Sequence, residues 1–447
     1  MGLRPTPVTG SHQMRFVIVW RRLPIVWNSL ALAGEGPGDR HAQPLAARAP
    51  VPQQHARRRR PRTCWMARPL AVGDRWARQR EAHMGEDVPD EQDRLPAPVY
   101  QDERVTVYQG DAVELLPRLP AAGADALVSD PPYGLGFAGH TWDAAAGFAE
   151  SLHGLDVRAM SGAQVFEAWC AAWAHGALHA LKPGAHLAAF GGARTWHRMV
   201  RGVEDAGFEI RDQIAWLHTA GMPKSMDISH AIDKHSGATR HDRIVQLSTS
   251  PGVLGTTRSV ASRGTPVTGE AQAWEGWGTG LRPAFEPIIV ARKPPDGSLV
   301  TNVLTHGVGG LNIEGTRFGE GRWPTNVALD QQQADALDLL TGTWQSRPLS
   351  ARFPIFRFEG KASPAERPRA FGRSHATVKP LGLMRWLVTL ITPRGGLVLE
   401  PFAGSGTTVE AAVQTGFRVI AFEKDPDYVP LIIARIDRIS GPRRRST

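Results

Sequence analysis

The sequence has 447 residues, of which 42% are hydrophobic, and this is typical of a globular protein with two or three domains or one large domain carrying an insertion. Its two cysteines exclude a disulfide framework and predict a reducing, cytoplasmic location. The net charge of +9 does not identify a nucleic-acid-binding domain, because residues 1–83 hold 15 arginines and four acidic residues, so they carry +11 and the remainder −2.

Residues 1–95 are predicted to be an Arg- and Pro-rich leader without a fold of its own. An apolar stretch at 16–34 is interrupted by Arg21, Arg22 and Pro24, so we expect no membrane span there. The run RRRRPR at 57–62 suits non-specific binding to DNA phosphates. The plainer interpretations are a disordered tail, or upstream sequence translated ahead of a true start at Met84.

From residue 104 onward, alternating strand and helix patterns predict an α/β domain. In chain order we predict strand 104–109, a short helix after the turn Gly110-Asp111, strand 124–130, helix 163–181, strand 185–192, helix 194–207 and strand 208–218. The helix at 163–181 is expected to stop at the Lys-Pro-Gly sequence 182–184. A strand at 285–294 is predicted to pair antiparallel with strand 208–218 at one edge of the sheet.

Between 219 and 360 the regular pattern decays, with a helical period only near 330–340, and we interpret this stretch as a loop-rich insertion. Beyond it we predict a helix behind Pro380, strand 395–402, helix 406–416, strand 417–425 and a final helix that Asp425 is placed to cap. Apolar residues at helical spacing predict the buried faces of the first and last of these helices: Leu381, Met384, Leu387, Val388 and Ile391, and Ile432, Ile433, Ile436 and Ile439.

The run Phe402-Ala403-Gly404-Ser405-Gly406 is a glycine loop between a predicted strand and helix. Glycines let a ligand approach the backbone, and a helix start offers free N–H groups. The loop is not a P-loop, because no Lys-Ser/Thr follows its second glycine. The next strand ends in Glu423, 17 residues after Gly406, where a carboxylate can accept hydrogen bonds from both hydroxyls of a ribose. The pattern favours a nucleoside-containing cofactor, although such a turn also occurs as a plain tight connection.

The tetrapeptide Asp130-Pro131-Pro132-Tyr133 follows directly on the apolar run of strand 124–130. Its carboxylate and a rigid prolyl carbonyl can accept hydrogen bonds from an exocyclic amine, which exposes the lone pair of that nitrogen, while Tyr133 offers a flat face to an aromatic base. An amine held in this way can attack an electrophilic methyl group in line. The plainer interpretation is a strand-ending turn with a capping aspartate.

In this order, the two motifs resemble the β class of S-adenosylmethionine-dependent DNA amino-methyltransferases, in which the catalytic motif precedes the cofactor motif. The resemblance covers about residues 104–438 and includes prophage-type members with a long insertion. It is supported by GDAVELLPRLP at 110–120 and HATVKPLGLMRWL at 375–387, and less diagnostically by segments at 221–228, 274–294 and 321–330. It implies an α/β fold: a circularly permuted Rossmann-like methyltransferase sheet with a loop-rich target-recognition insertion.

The resemblance also implies roles for individual residues. The catalytic set that would hold and activate the target amine is Asp130, Pro131, Pro132 and Tyr133. The set implied to bind S-adenosylmethionine is Asp111, Thr377, Lys379, Glu400, Phe402, Gly404, Ser405, Gly406, Thr407 and Glu423. Glu423 would take the ribose hydroxyls and Asp111 the adenine side, with Thr377 and Lys379 near the methionine carboxylate. Glu400 departs from the family, which usually has Asp before Pro-Phe, and this change is expected to be tolerated at some loss of affinity.

The implied division of the chain has five segments. They are a leader at 1–95, the catalytic half at 96–218, a recognition insertion at 219–360 that includes a sheet strand near 285–293, the cofactor half at 361–441 and a basic tail at 442–447.

The implied partner is double-stranded DNA, from which the target base must be rotated out of the stack. Candidate DNA contacts, chosen by residue type, are Lys224, Trp274, Trp277, Arg282, Arg317 and Arg322, each of which is alternatively a plain surface or packing residue. No metal and no membrane contact is expected, a homodimer is an option, and no pattern of residues indicates a partner restriction nuclease.

The function implied is site-specific methylation of an exocyclic amine in DNA, with adenine N6 favoured because the family associates Asp at the first tetrapeptide position with adenine. Cytosine N4 is the first alternative. Methylation of a protein glutamine or an RNA base is disfavoured by the order of the motifs. A DNA-binding protein of prophage origin that has lost catalysis is the alternative from another class.

Overall fold

A ten-stranded mixed sheet organises the part of the chain that the computed structural model describes. That part comprises residues 94–218, 221, 225–240, 243–247, 258–262, 264–319, 321–344, 347–356, 375 and 377–440. Only residues 94 and 95 of the predicted leader are among them, and the predicted basic tail lies outside them.

Fourteen strands are described. They are β1 (Tyr100–Gln101), β2 (Val105–Gln109), β3 (Ala124–Ser129), β4 (Leu181–Phe190), β5 (Glu209–Leu217), β6 (Arg243–Leu247), β7 (Arg258–Ser262), β8 (Phe285–Arg292), β9 (Val327–Asp330), β10 (Thr343–Trp344), β11 (Arg347–Pro348), β12 (Ile355–Phe356), β13 (Leu397–Glu400) and β14 (Arg418–Glu423). The main sheet has the order β1-β2-β14-β13-β3-β4-β8-β5-β9-β12, and β6–β7 and β10–β11 form separate two-stranded ribbons.

The described α-helices connect and cover these strands. They are α1 (Ala112–Leu115), α2 (Ala145–Glu150), α3 (Gly162–Ala180), α4 (Trp196–Asp205), α5 (Ile228–His235), α6 (Gly269–Ala273), α7 (Leu299–His306), α8 (Gln331–Thr341), α9 (Leu381–Ile391), α10 (Thr407–Gln414) and α11 (Val429–Ser440).

The middle of the sheet joins strands from distant parts of the chain. Strands β2, β14, β13, β3 and β4 are parallel, so the early strand β3 lies directly beside the late strand β13. Strand β8 runs antiparallel between β4 and β5. In an open α/β sheet, ligands bind beyond the carboxyl ends of the strands where the strand order reverses. The predicted circularly permuted Rossmann-like sheet is therefore confirmed, and its reversal lies between β3 and β13.

Both faces of the sheet are buried, because neighbouring residues of each strand point to opposite sides. Leu127 and Leu399 join a core with residues of α3 and α4, whereas Val128 and Val398 join a second core with residues of α9, α10 and α11. The predicted buried face of α9 is confirmed at Met384, Leu387, Val388 and Ile391, with Leu381 partly buried, and that of α11 at Ile432 and Ile436.

Three sequence-based predictions are wrong in detail. Strands β5 and β8 do pair antiparallel, but they are not at the edge, because β9 and β12 extend the sheet beyond β5. Helix α3 ends at Ala180, before Lys-Pro-Gly as predicted, but β4 begins at Leu181 and not at 185, because the chain passes directly from helix to strand. Asp425 does not cap α11: its carboxylate accepts the N–H of Asp427, two residues before the helix begins.

The stretch predicted as a loop-rich insertion carries more regular structure than its composition indicates. The helical period near 330–340 is confirmed as α8, and α5, α6 and α7 add three short helices. A buried ion pair anchors the first of these, since Arg240 Nε lies 2.5 Å from Asp233 Oδ2 and Asp233 also accepts both N–H groups of residues 267 and 268. The division of the chain into a catalytic half, insertion and cofactor half stays a prediction.

Candidate active site

The two predicted motifs lie side by side at the carboxyl ends of neighbouring strands. Val398 and Leu399 of β13 are in register with Ala126 and Leu127 of β3, so the residues that follow each strand leave the sheet together. The last residues of the two strands are joined directly, because Ser129 Oγ donates a hydrogen bond to Glu400 Oε1. The fold thus brings together a catalytic and a cofactor motif that are about 270 residues apart.

Asp130 is held by two donors. Lys379 Nζ donates to its Oδ2 over 2.7 Å, and the Tyr133 hydroxyl lies 3.0 Å from its Oδ1. The same hydroxyl lies 2.8 Å from Glu286 Oε2, so its single proton is shared between two carboxylates. Lys379 Nζ also lies 3.1 Å from the Tyr133 hydroxyl and 3.2 Å from Glu286 Oε2. Asp130, Tyr133, Glu286 and Lys379 therefore form one contiguous polar cluster, called here the amine-site cluster.

Burial and neighbouring charges shift the pKa values in this cluster, in the same direction at Tyr133 and in opposite directions at Lys379 and Glu286. Burial raises the pKa of Tyr133 well above its usual value, and the neighbouring Asp130 and Glu286 carboxylates raise it further. Burial alone would lower the pKa of Lys379, but the same two carboxylates outweigh it and the pKa is raised. Burial opposes ionisation of Glu286, yet the Lys379 ammonium and the hydrogen bonds lower its pKa. At neutral pH the cluster therefore holds a neutral phenol, a cationic lysine and an ionised Glu286.

The loop after Tyr133 is held by an aspartate that the sequence analysis missed. The buried carboxylate of Asp143 accepts the N–H groups of Gly134 (2.7 Å), Leu135 (3.1 Å) and Phe137 (2.8 Å). On the other side, Thr195 Oγ1 donates to the carbonyl of Tyr133 over 2.6 Å. Neither residue stands in a recognisable motif, so only the folded backbone reveals them. Together they fix the direction in which the tyrosine ring leaves the loop.

The glycine loop turns sharply between β13 and α10. Gly404 and Gly406 have φ angles of +51° and +79°, a region that side chains disfavour. A Cβ on Gly404 would lie 3.1 Å from His375 Nε2, so the absence of a side chain keeps this cradle open. The carboxylate of Glu423 accepts the N–H of Gly404 (2.6 Å) and of Asp425 (2.8 Å), which ties the end of β14 to the loop.

Two buried glutamates beside this loop are hard to ionise. Burial raises the pKa of Glu423 to about 7, although the backbone N–H groups it accepts oppose the shift. Burial also raises the pKa of Glu400 to about 7, against hydrogen bonds from Ser129, Thr408 and the Phe402 N–H. The cofactor side of the site therefore changes charge near neutral pH.

A buried ion pair between α10 and α11 lies next to the glycine loop and holds one of its backbone carbonyls. Arg435 of α11 is 1% exposed, and its guanidinium contacts the Glu410 carboxylate of α10 and donates from Nε to the Ser405 carbonyl over 2.8 Å. Arg438 Nη2 adds a 2.6 Å bond to the same carboxylate. The carbonyl of Ser405 is thus held in place by the last described helix.

Other predicted cofactor residues line the same edge. Asp111 caps α1, accepts a hydrogen bond from Ser151 Oγ (2.5 Å) and forms an ion pair with Lys424 Nζ (3.0 Å). The Phe402 ring packs on Trp169 and Trp173, with ring centroids 5.1 Å and 5.8 Å away. Thr407 is the first residue of α10, and the Thr377 carbonyl accepts from His375 Nδ1. Lys379, predicted beside the methionine carboxylate, has its ammonium in the amine-site cluster.

These residues fit a nucleoside-containing cofactor. The glycine loop leaves its backbone open above an α10 of eight residues, whose first N–H groups are free of intrahelical partners. Each oxygen of Glu423 accepts one backbone N–H, and an ionised carboxylate has lone pairs left for two hydroxyls. Among the described residues there is no group of three or more His, Cys, Asp or Glu side chains that could hold a metal ion.

The residues predicted to contact DNA lie in several segments of the chain, and their side chains differ in exposure and in hydrogen bonding. Trp274 and Trp277 are 44% and 61% exposed and pack edge to face. Arg282 Nε donates to the Gly221 carbonyl over 2.9 Å, and Arg317 Nε donates to Glu314 over 2.6 Å. The remaining two are Arg322, whose backbone bridges to Phe318, and Lys224, which lies outside the described residues.

In the described ranges, no helix is both long and apolar enough to cross a membrane.

Comparison with known proteins gives matches along the α/β domain. Residues 124–434 match the model of a family described as DNA methylase (N6_N4_Mtase). The chain is 26% identical over 354 residues to the type II methyltransferase M.HindIII of Haemophilus influenzae, which covers 74% of this chain and 94% of that protein. A shorter match, 34% identical over 64 residues, joins 14% of this chain to 22% of the DNA adenine methyltransferase YhdJ of Escherichia coli.

Solved structures that align with this chain have low sequence identity to it. The cytosine-N4-specific PvuII DNA methyltransferase is 15% identical with a TM-score of 0.43, covering 76% of this chain and 88% of that one. TTHA0409 of Thermus thermophilus, described as a DNA modification methylase, is 19% identical with a TM-score of 0.36, covering 75% and 95%.

Proposed function

Because the chain belongs to the DNA methylase family N6_N4_Mtase, we propose that it is a site-specific methyltransferase that acts on adenine N6 in double-stranded DNA, with S-adenosylmethionine as the cofactor. The observation that carries this proposal is the contact between the two motifs: Asp130 and Tyr133 follow β3, the glycine loop follows β13, and these two adjacent parallel strands are joined at their ends by the bond from Ser129 to Glu400. A target amine held at the first motif therefore lies next to the cradle at the second.

The residues of the amine-site cluster would position and polarise the target. The Asp130 carboxylate and the Pro131 carbonyl accept the two N–H groups of the amine, which draws the nitrogen lone pair out of the aromatic ring. The Tyr133 ring lies against the flipped base, in a direction set by Asp143 and Thr195. When bound, S-adenosylmethionine supplies a methyl group on a cationic sulfur, which an exposed amine lone pair can attack.

The cofactor would be held by the opposite edge of the same site. Glu423 accepts the ribose hydroxyls, and Asp111 faces the adenine side. Gly404 and Gly406 leave room for the chain to pass close to the methionine and ribose portions. Glu400 stays in the role of the family aspartate, because Ser129 and the Phe402 N–H bind its carboxylate in spite of the extra methylene.

Duplex DNA would be contacted by the segment that leads into β8. Trp274 and Trp277 are exposed, Leu281 is 93% exposed, and Glu286 follows five residues later in the amine-site cluster. Base flipping leaves a gap in the stack that apolar side chains can fill, and aromatic faces suit unstacked bases. We therefore assign base and stack contacts to this segment, and phosphate contacts to Arg282, Arg317, Arg322 and Lys224.

Adenine is the proposed base because the tetrapeptide begins with Asp, as the family resemblance implies. Cytosine N4 offers the same amine geometry and is the second candidate. Loss of catalysis is disfavoured because Asp130, Tyr133 and the glycine loop are all present and in contact through neighbouring strands.

The test is expression in a host that lacks DNA methylation, followed by genome-wide mapping of modified bases. We expect N6-methyladenine at one short sequence with the wild-type chain and none with Asp130→Ala. N4-methylcytosine in its place would change the base assignment alone. Unmodified DNA in the presence of folded, cofactor-binding protein would overturn the proposed activity and favour the decayed DNA-binding protein.

A further inference from the structure

Glu286 is a partly buried carboxylate in the catalytic neighbourhood that belongs to neither motif. It is the second residue of β8, opposite Trp216 in the register with β5, and Phe285 before it is exposed while Pro287 after it is buried. Its Oε2 accepts from the Tyr133 hydroxyl (2.8 Å) and lies 3.2 Å from Lys379 Nζ, and its Oε1 lies 3.6 Å from His218 Nε2.

The charges of the amine-site cluster depend on this carboxylate. Asp130 and Glu286 share one lysine, whose side chain is 9% exposed and lies over the rings of Tyr133 and Phe190. With both carboxylates ionised, the cluster carries a net charge of −1. Without Glu286 the cluster would be neutral, and Asp130 would be the one carboxylate of the cluster left to pair with the Lys379 ammonium.

The geometry of Tyr133 depends on it as well. The hydroxyl has one proton and two carboxylate acceptors that come from different parts of the chain: Asp130 directly after β3, and Glu286 on β8. Because Glu286 lies on β8, its hydrogen bond connects Tyr133 to a strand on the opposite side of β3 from β13 and the glycine loop. Its loss would leave the ring attached through Asp130, Lys379 and its own loop.

We propose that Glu286 is a positioning residue for methyl transfer: it shares the Lys379 ammonium and the Tyr133 hydroxyl with Asp130, so that Asp130 keeps enough negative charge to polarise the target amine. This inference rests on the proposed function. It predicts that Glu286 affects the rate of transfer and not the binding of cofactor or DNA, since Glu286 contacts the groups proposed to hold the amine and not the glycine loop.

The first test compares Glu286→Gln with the matched control Glu209→Gln. Glu209 is also a carboxylate on this strand pair and binds Arg292 over 2.6 Å, at the other end of β8. In single-turnover methylation of the target DNA, we expect Glu286→Gln to be roughly 10- to 100-fold slower with unchanged dissociation constants, because displaced reacting groups cost about this much. Glu209→Gln should match the wild type, and Glu286→Asp should recover part of the rate.

Two further measurements distinguish positioning from general stabilisation. If Glu286 acts through Lys379, the double variant Glu286→Gln/Lys379→Gln should be no slower than Lys379→Gln alone, since contacting residues are not additive. In protein labelled with ¹³C at tyrosine Cζ, the resonance assigned by Tyr133→Phe should shift in Glu286→Gln and not in Glu209→Gln, with no ligand present.

The outcomes separate this inference from the proposed function. An inactive wild type would refute methylation while leaving the tyrosine resonance as a test of the contact. An active wild type with an equally fast Glu286→Gln, an unmoved Tyr133 resonance, or a reduced rate explained by weaker cofactor binding would each overturn the role of Glu286.

Discussion

Cofactor affinity should depend on the ionisation of Glu423. The two hydroxyls of a ribose donate hydrogen bonds, and an ionised carboxylate accepts them better than a protonated one. Burial raises the pKa of Glu423 to about 7, so the group is mostly protonated at pH 6 and mostly ionised at pH 8. We therefore expect S-adenosylmethionine to bind more weakly at pH 6 than at pH 8.

The size of this effect follows from the fraction of competent protein. With a pKa of about 7, roughly one molecule in eleven carries an ionised Glu423 at pH 6, and roughly ten in eleven at pH 8. Because the apparent dissociation constant is the intrinsic one divided by the competent fraction, it should change about tenfold across this range. Most of the change should fall between pH 6 and 7.5.

Isothermal titration calorimetry at a series of pH values in buffers of different ionisation enthalpy measures both the affinity and the protons released. Glu423→Gln should bind weakly with little pH dependence, while Glu204→Gln, a change at an exposed glutamate of α4, should behave as the wild type. Because the pKa of Glu400 is also about 7, Glu400→Gln measures how much of the pH dependence comes from that second glutamate. A pH dependence that survives in Glu423→Gln and disappears in Glu400→Gln would refute the reasoning.

Three further predictions concern the supports of the site. The pKa of Glu400 is raised from 4.5 to about 7 in the folded chain, so its contribution to stability is fully present below pH 4 and is lost as the pH rises to 7. Urea unfolding without cofactor should show lower stability at pH 8 than at pH 5, and Glu400→Gln should remove roughly 2.5 kcal/mol of this difference, with the rest due to groups such as Glu423. Glu410→Ala removes the carboxylate that neutralises the buried Arg435 guanidinium and should lower the free energy of unfolding by about 3–5 kcal/mol. Asp143→Asn should slow methyl transfer about tenfold or more at unchanged cofactor affinity, because the loop behind Tyr133 loses N–H acceptors.

For each of these three predictions, a specific result would contradict the reasoning. An equal difference between pH 5 and 8 in the wild type and in Glu400→Gln would mean that burial does not raise the pKa of Glu400 in the folded chain. A loss under 1 kcal/mol in Glu410→Ala would mean that water reaches Arg435. A fast Asp143→Asn enzyme would mean that Thr195 alone is enough to hold the tyrosine loop.

The two motifs were predictable because their chemistry is local. A carboxylate, two prolines and an aromatic residue stand together in the chain, as do the glycines and the strand that precedes them. The inverted order of these motifs carries the family resemblance that implies a permuted sheet, and the parallel pairing of β13 with β3 agrees with it.

Contacts made at long range were not predictable in the same way. Glu286 stands in a run that looks like any buried strand, and nothing in that run indicates that its side chain meets Tyr133 across 153 residues. The ion pair of Lys379 with Asp130 was not predicted, because residue type alone does not tell which anions a cation will bind, and its role beside the methionine carboxylate stays a prediction. The edge strands β9 and β12 were missed because strands of four and two residues carry too little periodicity to identify.

The bond from Arg435 to the Ser405 carbonyl also bears on the order in which the protein is made. Residues reach the ribosome exit in chain order, so the amine-binding tetrapeptide emerges about 300 residues before α11. Until α11 has emerged, the glycine loop lacks its arginine and Glu410 lacks its counter-charge. A growing chain should therefore bind the cofactor poorly until α11 has emerged, because the carbonyl of Ser405 is not yet held in place.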